Sequence, residues 1–553
     1  MATSKTTERA KSLSPAARGE RASRGLRLGA LALALSASSL GAPALAGEEP
    51  RRPNFLAIVA DDMGFSDAGC YGGEIETPHL DRLAAEGLRF TQCYSTARCW
   101  PSRSALLTGY YPQQIRADPP KGRLPDFAKT LPHYLRPLGY RSYHSGKWHV
   151  PGAPRPVEDG GFDDSYSNMN ENDHFAPRAP ALEPPRPFPG EYYSTTVIAD
   201  HAIRQLREHA ERHRGRPFFS YVAFIAPHFP IQALPEDIER YRGRYREGWD
   251  AVRRERWRRL REMGVVASVL PALEPDVFPS WNLSEAELRA RVGPGEAARA
   301  VPWDELAPEA KEFQTLKMAI HAAMVYRIDR EVGRILEEVR ALGAWEDTVT
   351  IFVSDNGASA ELMVRGGGHD PSAPPGSRRT FLCLGPGWSS ASNSPFRLHK
   401  SWVHEGGIAS PLIVHWPAGI RARGELRRAP VHFVDLVPTV LELARAPEPA
   451  RPPGSPPFAG RSIVRTFAAD VPLEREGIFF HHLENRAIRV GDWKLVSKGK
   501  GGPWELYDLA KDRAESEDLS AKLPEKVADL SRLWETWEAE FVREAGAAES
   551  PRG

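Results

Sequence analysis

The chain has 553 residues, with 73 Lys+Arg against 72 Asp+Glu, 41% hydrophobic residues and four cysteines. Those proportions describe a globular chain long enough to bury a large core, and exclude a disordered, collagenous or disulfide-dense one. A formal charge of +1 gives no basic footprint for nucleic acid, and the cysteine usage excludes a CxxC zinc module.

In chain order, Arg18 to Arg27 is basic, Leu28 to Leu40 is a Leu/Ala run, and Ala44-Leu45-Ala46 follows. A positive segment, a short apolar segment and an A-x-A site predict a signal peptide over residues 1–46 and an exported, periplasmic or secreted protein. The apolar run falls short of the ~20 residues of a spanning helix, and no other stretch is apolar enough, so no stable membrane insertion is expected. In an oxidising compartment Cys70 and Cys93 are candidates for a disulfide or for two buried free thiols, a choice the sequence leaves open. Removal of residues 1–46, with 7 Lys+Arg and 2 Asp+Glu, leaves 66 basic against 70 acidic residues, a net charge of −4. Net charge therefore cannot draw in an anionic ligand.

Asn54 to Ala60 is a continuous apolar run ending at Asp61-Asp62, the pattern of a central parallel strand buried on both faces. Thr77-Pro78 opens a helix carrying Leu80, Leu83 and Ala84, which Gly87 closes. Phe218 to Ile225, Thr348 to Val353 and Leu412 to His415 are further buried-strand candidates, and Leu316 to Leu342 is a periodic helix. This alternation predicts an α/β fold with a large, mainly parallel central sheet flanked by helices, over residues 47–470. A mostly helical insertion rich in Arg, Trp and Glu is expected over about 235–313. Residues 471–545 read as a small antiparallel α+β subdomain, with strands at Ala487–Val490, Lys494–Val496 and Glu505–Tyr507 and a helix over about 522–540; residues 546–553 are a tail.

In open α/β sheets ligands gather beyond the carboxyl ends of the strands. Three candidate strands lead there into Asp61-Asp62, Ala226-Pro227-His228 and Ser354-Asp355-Asn356-Gly357. Carboxylates and an amide oxygen are hard ligands, so Asp61, Asp62, Asp355 and Asn356 are candidates for one Ca2+ or Mg2+ site. Taken singly, either pair reads as turn and N-cap residues. Arg98-Cys99-Trp100-Pro101-Ser102-Arg103 then leads into a short apolar helix stopping at Gly109, which sets Cys99 at a helix N-terminus that favours anions and thiolates. On residue chemistry alone Cys99 is either a thiol nucleophile or a buried structural cysteine.

Cys-x-Pro-Ser-Arg followed by Leu-Thr-Gly resembles the signature of the type I sulfatases, formylglycine-dependent enzymes with an alkaline-phosphatase-like fold. The similarity continues through Asp61-Asp62, Gly146-Lys147-Trp148-His149, Ser354-Asp355-Asn356-Gly357, Pro395 to Lys400 and His404-Glu405-Gly406-Gly407, and is strongest to bacterial arylsulfatases. The resemblance implies that a formylglycine-generating enzyme oxidises Cys99 and that the hydrated aldehyde attacks sulfur to give a covalent sulfo-enzyme. It further implies Ca2+, with Mg2+ as the alternative, on Asp61, Asp62, Asp355, Asn356 and residue 99. By the same resemblance Lys147 and Lys400 bind sulfate oxygens, Arg103 supports the diol, His228 protonates the leaving alcohol and His149 takes the proton of the second hydroxyl. Imidazole suits both transfers, with a reference pKa of ~6.5.

The implied substrate is a small-molecule or glycan sulfate ester, aryl or similar. Alternatives are a phosphonate or phosphodiester hydrolase of the same superfamily, and a non-catalytic binder of sulfated glycans. Some features stand apart from the family pattern. His144-Ser145 is not the small or hydroxylic pair expected before Gly146. The Gly366 to Pro375 segment, with His369 and Asp370, reads as a surface loop, and Trp249, Trp257 and Trp281 read either as ring-stacking residues or as the packing of a cap.

Overall fold

Strand β1 (Asn54–Ala60) lies at the middle of the molecule because its side chains are apolar in both directions. Leu56, Ile58 and Ala60 enter one core and Phe55 and Val59 the other. The computed structural model describes residues 51–177, 191–447 and 455–547, so the signal-peptide reading of residues 1–46 and most of the 546–553 tail lie outside the described residues. The described residues from Arg51 onward form one compact unit.

The remaining strands of the central sheet are β2 (Leu88–Tyr94), β3 (Arg141–Gly146), β4 (Asp164–Ser167), β5 (Phe218–Ala223), β6 (Thr348–Ser354), β7 (Ala409–His415), β8 (Glu425–Arg427) and β9 (Val431–His432). Their order is β4-β3-β5-β1-β6-β7-β2-β8, with β9 also on β2. From β4 to β6 every pairing is parallel, whereas β7 runs antiparallel to both β6 and β2. The fold is thus α/β with a large, mainly parallel sheet. Register aligns the carboxyl ends: Gly146 pairs with Ala223, Ala223 with Val59, and Ala60 with Ser354. Four neighbouring strands therefore release their next residues side by side.

Helices cover both faces. The helices Pro308–Ala341, Ser194–Arg212 and Pro78–Glu86 pack Met318, Ile328, Ile198, Leu206 and Leu80 over one face. Helix Cys99–Thr108 covers the other with Ala105, Leu106 and Leu107, beside Leu436–Leu443. Each such aliphatic side chain removed from water contributes about 1.5–3 kcal/mol, which makes a sheet covered on both faces the stable solution for strands of this composition. Among the described residues no helix is long and apolar enough to cross a membrane.

The long helix begins at Pro308, eight residues before its expected start, because proline at its first turn needs no intrahelical N–H partner. Inside 235–313 the helices are Pro235–Tyr241, Gly248–Glu262 and Glu285–Arg291. Four C-terminal strands, β10 (Ile478–His482), β11 (Asn485–Val490), β12 (Trp493–Ser497) and β13 (Glu505–Asp508), form an antiparallel sheet in that order. Helix Pro524–Ala547 packs on it through Leu530, Trp534 and Phe541. Buried ion pairs join this sheet to the short helix Glu405–Ile408 that leads into β7: Glu405 meets Lys494 at 3.0 Å and Arg513 at 3.0 Å, while Lys494 also meets Glu515 at 2.7 Å.

All four cysteines are buried free thiols, so Cys70 and Cys93 form no disulfide. The Gly366 to Pro375 loop is tied down: Phe381 N donates to His369 Nδ1 at 3.0 Å, and Asp370 pairs with Arg379 at 2.9 Å. His144 is buried and bonded to Ser165 Oγ at 2.8 Å, so it serves packing between β3 and β4.

His432 is buried between the rings of Tyr111 and Phe480, where the two sheets meet. Burial, reinforced by the Arg475 charge, pushes its pKa down to about 3. An unfolded histidine takes its proton near ~6.5, so this group stabilises the fold fully above that pH and progressively less as pH falls toward 3. The slope is at most about 1.4 kcal/mol per pH unit. Urea midpoints at pH 7.5 and 4.5 are expected to differ less in His432→Asn than in the parent, and equal differences would remove His432 from the acid sensitivity of the fold.

Candidate active site

The aligned carboxyl ends of β1, β3, β5 and β6 bring Asp61 and Asp62, Lys147 and His149, His228, and Asp355 and Asn356 to one edge of the sheet. Two further segments close it. Since β2 runs parallel to β1, the chain leaving it delivers Cys99 as the first residue of helix Cys99–Thr108; since β7 runs the other way, the chain entering it delivers Lys400. The cysteine helix is buried all round, with Ser102 Oγ accepting from Thr96 N at 3.0 Å and Gly109 closing it at φ 77°. Asp62 and His149 sit at φ 64° and 49°, in the left-handed region that costs a non-glycine residue about 1 kcal/mol or more and that recurs at functional sites.

All of the predicted site residues converge there. Lys147 Nζ donates to Asp61 Oδ2 at 2.5 Å and Lys400 Nζ reaches Asp62 at 2.8 Å. Arg103 holds Asp355 Oδ2 through Nε at 2.8 Å and Nη2 at 2.7 Å, approaches Asp61 at 3.7 Å, and donates from Nη1 to the carbonyl of Lys147 at 2.9 Å. Asn356 Nδ2 donates to Asp62 Oδ1 at 2.6 Å, and Asp62 N to Asp355 Oδ1 at 3.3 Å. His228 Nδ1 lies 2.6 Å from the Phe229 carbonyl, so its neutral form keeps the proton on Nδ1 and turns a bare Nε2 toward Asp62, 3.7 Å away.

The arrangement is starved of positive charge. Asp61, Asp62, Asp355 and Glu171 face Lys147, Lys400 and Arg103, and all but Glu171 are fully buried. Burial and the adjacent Asp61 charge push the Asp355 carboxyl well above the ordinary carboxylate range, with Arg103 opposing them. Asp61 Oδ1 and Asn356 Oδ1 are buried without a hydrogen-bond partner. Asp61, Asp62 and His228 offer ligand atoms within 4.8 Å of one another. Orphaned hard oxygens in a cluster of excess negative charge fit a divalent cation such as Ca2+ or Mg2+.

Burial raises the Cys99 thiol pKa even though Lys147 and Lys400 pull it down. Burial thus works against a thiolate at residue 99. Burial, with the charges of Lys147 and Lys400 respectively, pushes His149 and His228 down to about 3, so both imidazoles are neutral at neutral pH.

Sequence reasoning missed Glu171 and Glu361. Glu171 Oε1 sits 2.5 Å from Lys147 Nζ and 3.8 Å from His149 Nδ1; burial would raise it, but Lys147 and the two histidines hold it well below the usual carboxylate range. It lies in the polar run Asn168 to Asp173, which reads as a turn and carries no spacing signal. Glu361 receives Arg98 Nη2 at 3.2 Å and approaches Lys400 at 3.6 Å. Its position five residues beyond Asn356 is the one hint the chain offers.

A family model described as Sulfatase matches residues 53–446, and a second, described as N-sulphoglucosamine sulphohydrolase, C-terminal, matches 396–536. An uncharacterized sulfatase of Schizosaccharomyces pombe is 32% identical over 89% of this chain and 94% of its own length. The arylsulfatase of Klebsiella aerogenes is 30% identical over 75% of this chain and 91% of its own. Among solved structures, one in complex with its substrate D-glucosamine-2-N,6-O-disulfate superposes with a TM-score of 0.60 at 21% identity, over 90% of this chain and 100% of that one. With its charged residues gathered at the carboxyl ends of a mainly parallel sheet and its sequence matched through them, the chain belongs to the sulfatase family.

Proposed function

We propose that this protein hydrolyses sulfate monoesters, aryl sulfates or similar, after export and after conversion of Cys99 to formylglycine by a formylglycine-generating enzyme. One observation carries the reading: residue 99 stands at a buried helix N-terminus under the charges of Lys147 and Lys400, beside carboxylates with orphaned oxygens. In the loaded enzyme, formylglycine would supply a hydrated aldehyde as nucleophile, and Ca2+ on Asp61, Asp62, Asp355 and Asn356 would supply Lewis-acid charge neutralisation.

The remaining work falls to the chain. Lys147 and Lys400 each carry three N–H donors, more than their carboxylate partners consume, and offer the rest to sulfate oxygens. As the S–O bond to the alcohol breaks, charge moves onto the leaving oxygen, and fixed ammonium groups in a dry site oppose that charge more strongly than water would. His228, once a bound sulfate has favoured its protonated form, gives the Nε2 proton to the leaving alcohol. His149 accepts the proton that leaves residue 99 as sulfate departs. Arg103 holds Asp355 and the Lys147 carbonyl and so acts as a positioning residue. The arylsulfatase named for the Klebsiella relative supports an aryl sulfate as the test substrate.

Turnover of 4-nitrophenyl sulfate is expected to exceed that of an aryl phosphodiester, and preference for the diester would replace this reading with that of a phosphonate or phosphodiester hydrolase. Absence of turnover, with a peptide mass spectrum showing only a thiol at residue 99 in protein from its native host, would favour a non-catalytic binder. Cys99→Ala should abolish turnover and leave the fold intact by circular dichroism. Chelation should abolish activity and lower Tm, with Ca2+ restoring both; Ca2+ at a hundred times its Kd would contribute about 2.7 kcal/mol of stability. Glu171→Gln should remove one competitor for Lys147 and tighten inhibition by inorganic sulfate about tenfold or more, in line with the ~1.5–3 kcal/mol of a hydrogen bond to a charged group. An unchanged inhibition constant would reduce Glu171 to a structural role.

A further inference from the structure

Trp249, Trp257 and Trp281 of the insertion have separate fates. Trp249 is fully buried against Trp303 and Trp388, with ring centroids 4.9 and 5.6 Å away. Trp257 donates to the Ser268 carbonyl at 2.9 Å and lies under Arg261, inside the insertion. Trp281 is 43% exposed, although its polar edge is pinned: Nε1 donates to Glu361 Oε1 at 2.8 Å.

The surroundings of Trp281 tie it to the site. Arg98, the residue before Cys99, lies between two rings, its Cζ 5.1 Å from the Trp100 centroid and 5.5 Å from that of Trp281. The carboxylate that receives the indole N–H also receives Arg98 and approaches Lys400 at 3.6 Å. The next residue, Asn282, is clamped to the same strip, donating to the Ala360 carbonyl at 3.0 Å and accepting from Leu362 N at 3.0 Å. An exposed indole is an apolar surface left in contact with water, and here it is held still instead of folding back onto the core as Trp249 does. A flat face ordered in advance loses no side-chain freedom when a ring settles on it.

We infer that Trp281 is a specificity-determining residue that stacks on the aromatic or pyranose ring of the substrate's alcohol while Lys147 and Lys400 hold its sulfate. The inference rests on the sulfate-ester reading above and adds a preference for ring-bearing over acyclic esters. The indole touches no reacting atom, so it acts on binding and leaves the chemical step alone.

The test compares the parent enzyme, Trp281→Ala and Trp281→Phe on 4-nitrophenyl sulfate, N-acetylglucosamine 6-sulfate and ethyl sulfate. Trp281→Ala should raise KM about tenfold on whichever ring substrates the parent turns over, with kcat within twofold, and should leave ethyl sulfate unchanged. Trp281→Phe keeps an aromatic face and loses the bond to Glu361, so its KM for the ring substrates should stay within about threefold of the parent. An effect transmitted through Glu361 to Lys400 would strike ethyl sulfate equally and appear in Trp281→Phe, and that pattern would overturn the inference. So would a KM for ring substrates that Trp281→Ala leaves unchanged. Both outcomes presuppose a parent that hydrolyses sulfate esters; a parent with none would defeat the proposed function itself, and this inference with it.

Discussion

Three aspartates buried side by side are the condition on which the rest of this structure depends. Taking one carboxylate out of water costs several kcal/mol, and Asp61, Asp62 and Asp355 are all buried at the ends of two adjacent strands. The surrounding chain answers with Lys147, Lys400 and the two-nitrogen grip of Arg103, each drawn from a different segment. The answer is incomplete: two oxygens remain without partners, and one carboxyl is driven toward its neutral form. Such a balance of charge fits one more positive charge among the carboxylates.

The parallel sheet is what makes such a concentration of charge possible. Parallel strands all end on the same edge, and the shared register of β3, β5, β1 and β6 sets those ends level. Their interiors, buried on both faces and apolar in β1, β5 and β6, anchor the polar residues that follow them. Arg103 reaches from the cysteine helix to the ends of β1, β3 and β6, so a single side chain fixes the spacing among segments far apart in sequence. The helix can deliver it because nine of its ten residues, all but Trp100, are buried.

Much of this was legible in the residues. The apolar run of β1 stopping at Asp61-Asp62, and that of β6 stopping at Ser354-Asp355, announced both the strands and the cluster of polar residues at their ends. Strand β3 was not legible, because Ser142, His144 and Ser145 are polar yet buried, satisfied by partners on other segments that periodicity cannot reveal. The short strands β4, β8 and β9 carry too few residues for a pattern to emerge. The antiparallel course of β7 also had no local signal, since a strand buried on both faces reads alike in either direction. Glu171 and Glu361 escaped notice because they become site residues only through the lysines that the fold brings to them. The fates of Trp249 and Trp281 diverge for the same reason: both are tryptophans in a polar insertion, and only tertiary packing separates them.

The Glu405 ion pairs bear on how the chain can be divided. Lys494 and Arg513 come from the C-terminal part of the chain, and Glu405 stands five residues after Lys400, at the start of the short helix Glu405–Ile408. Cutting the chain near residue 470 would leave Glu405 buried without either cation and strip Phe479, Ile488 and Leu495 from a core they share with Val353 and Leu412. The antiparallel sheet is therefore no transferable module. A shortened chain, or a chimera carrying another protein's C-terminal sheet, would have to rebuild a salt-bridged seam directly behind the site, and a search for a minimal functional fragment should begin from the whole of it.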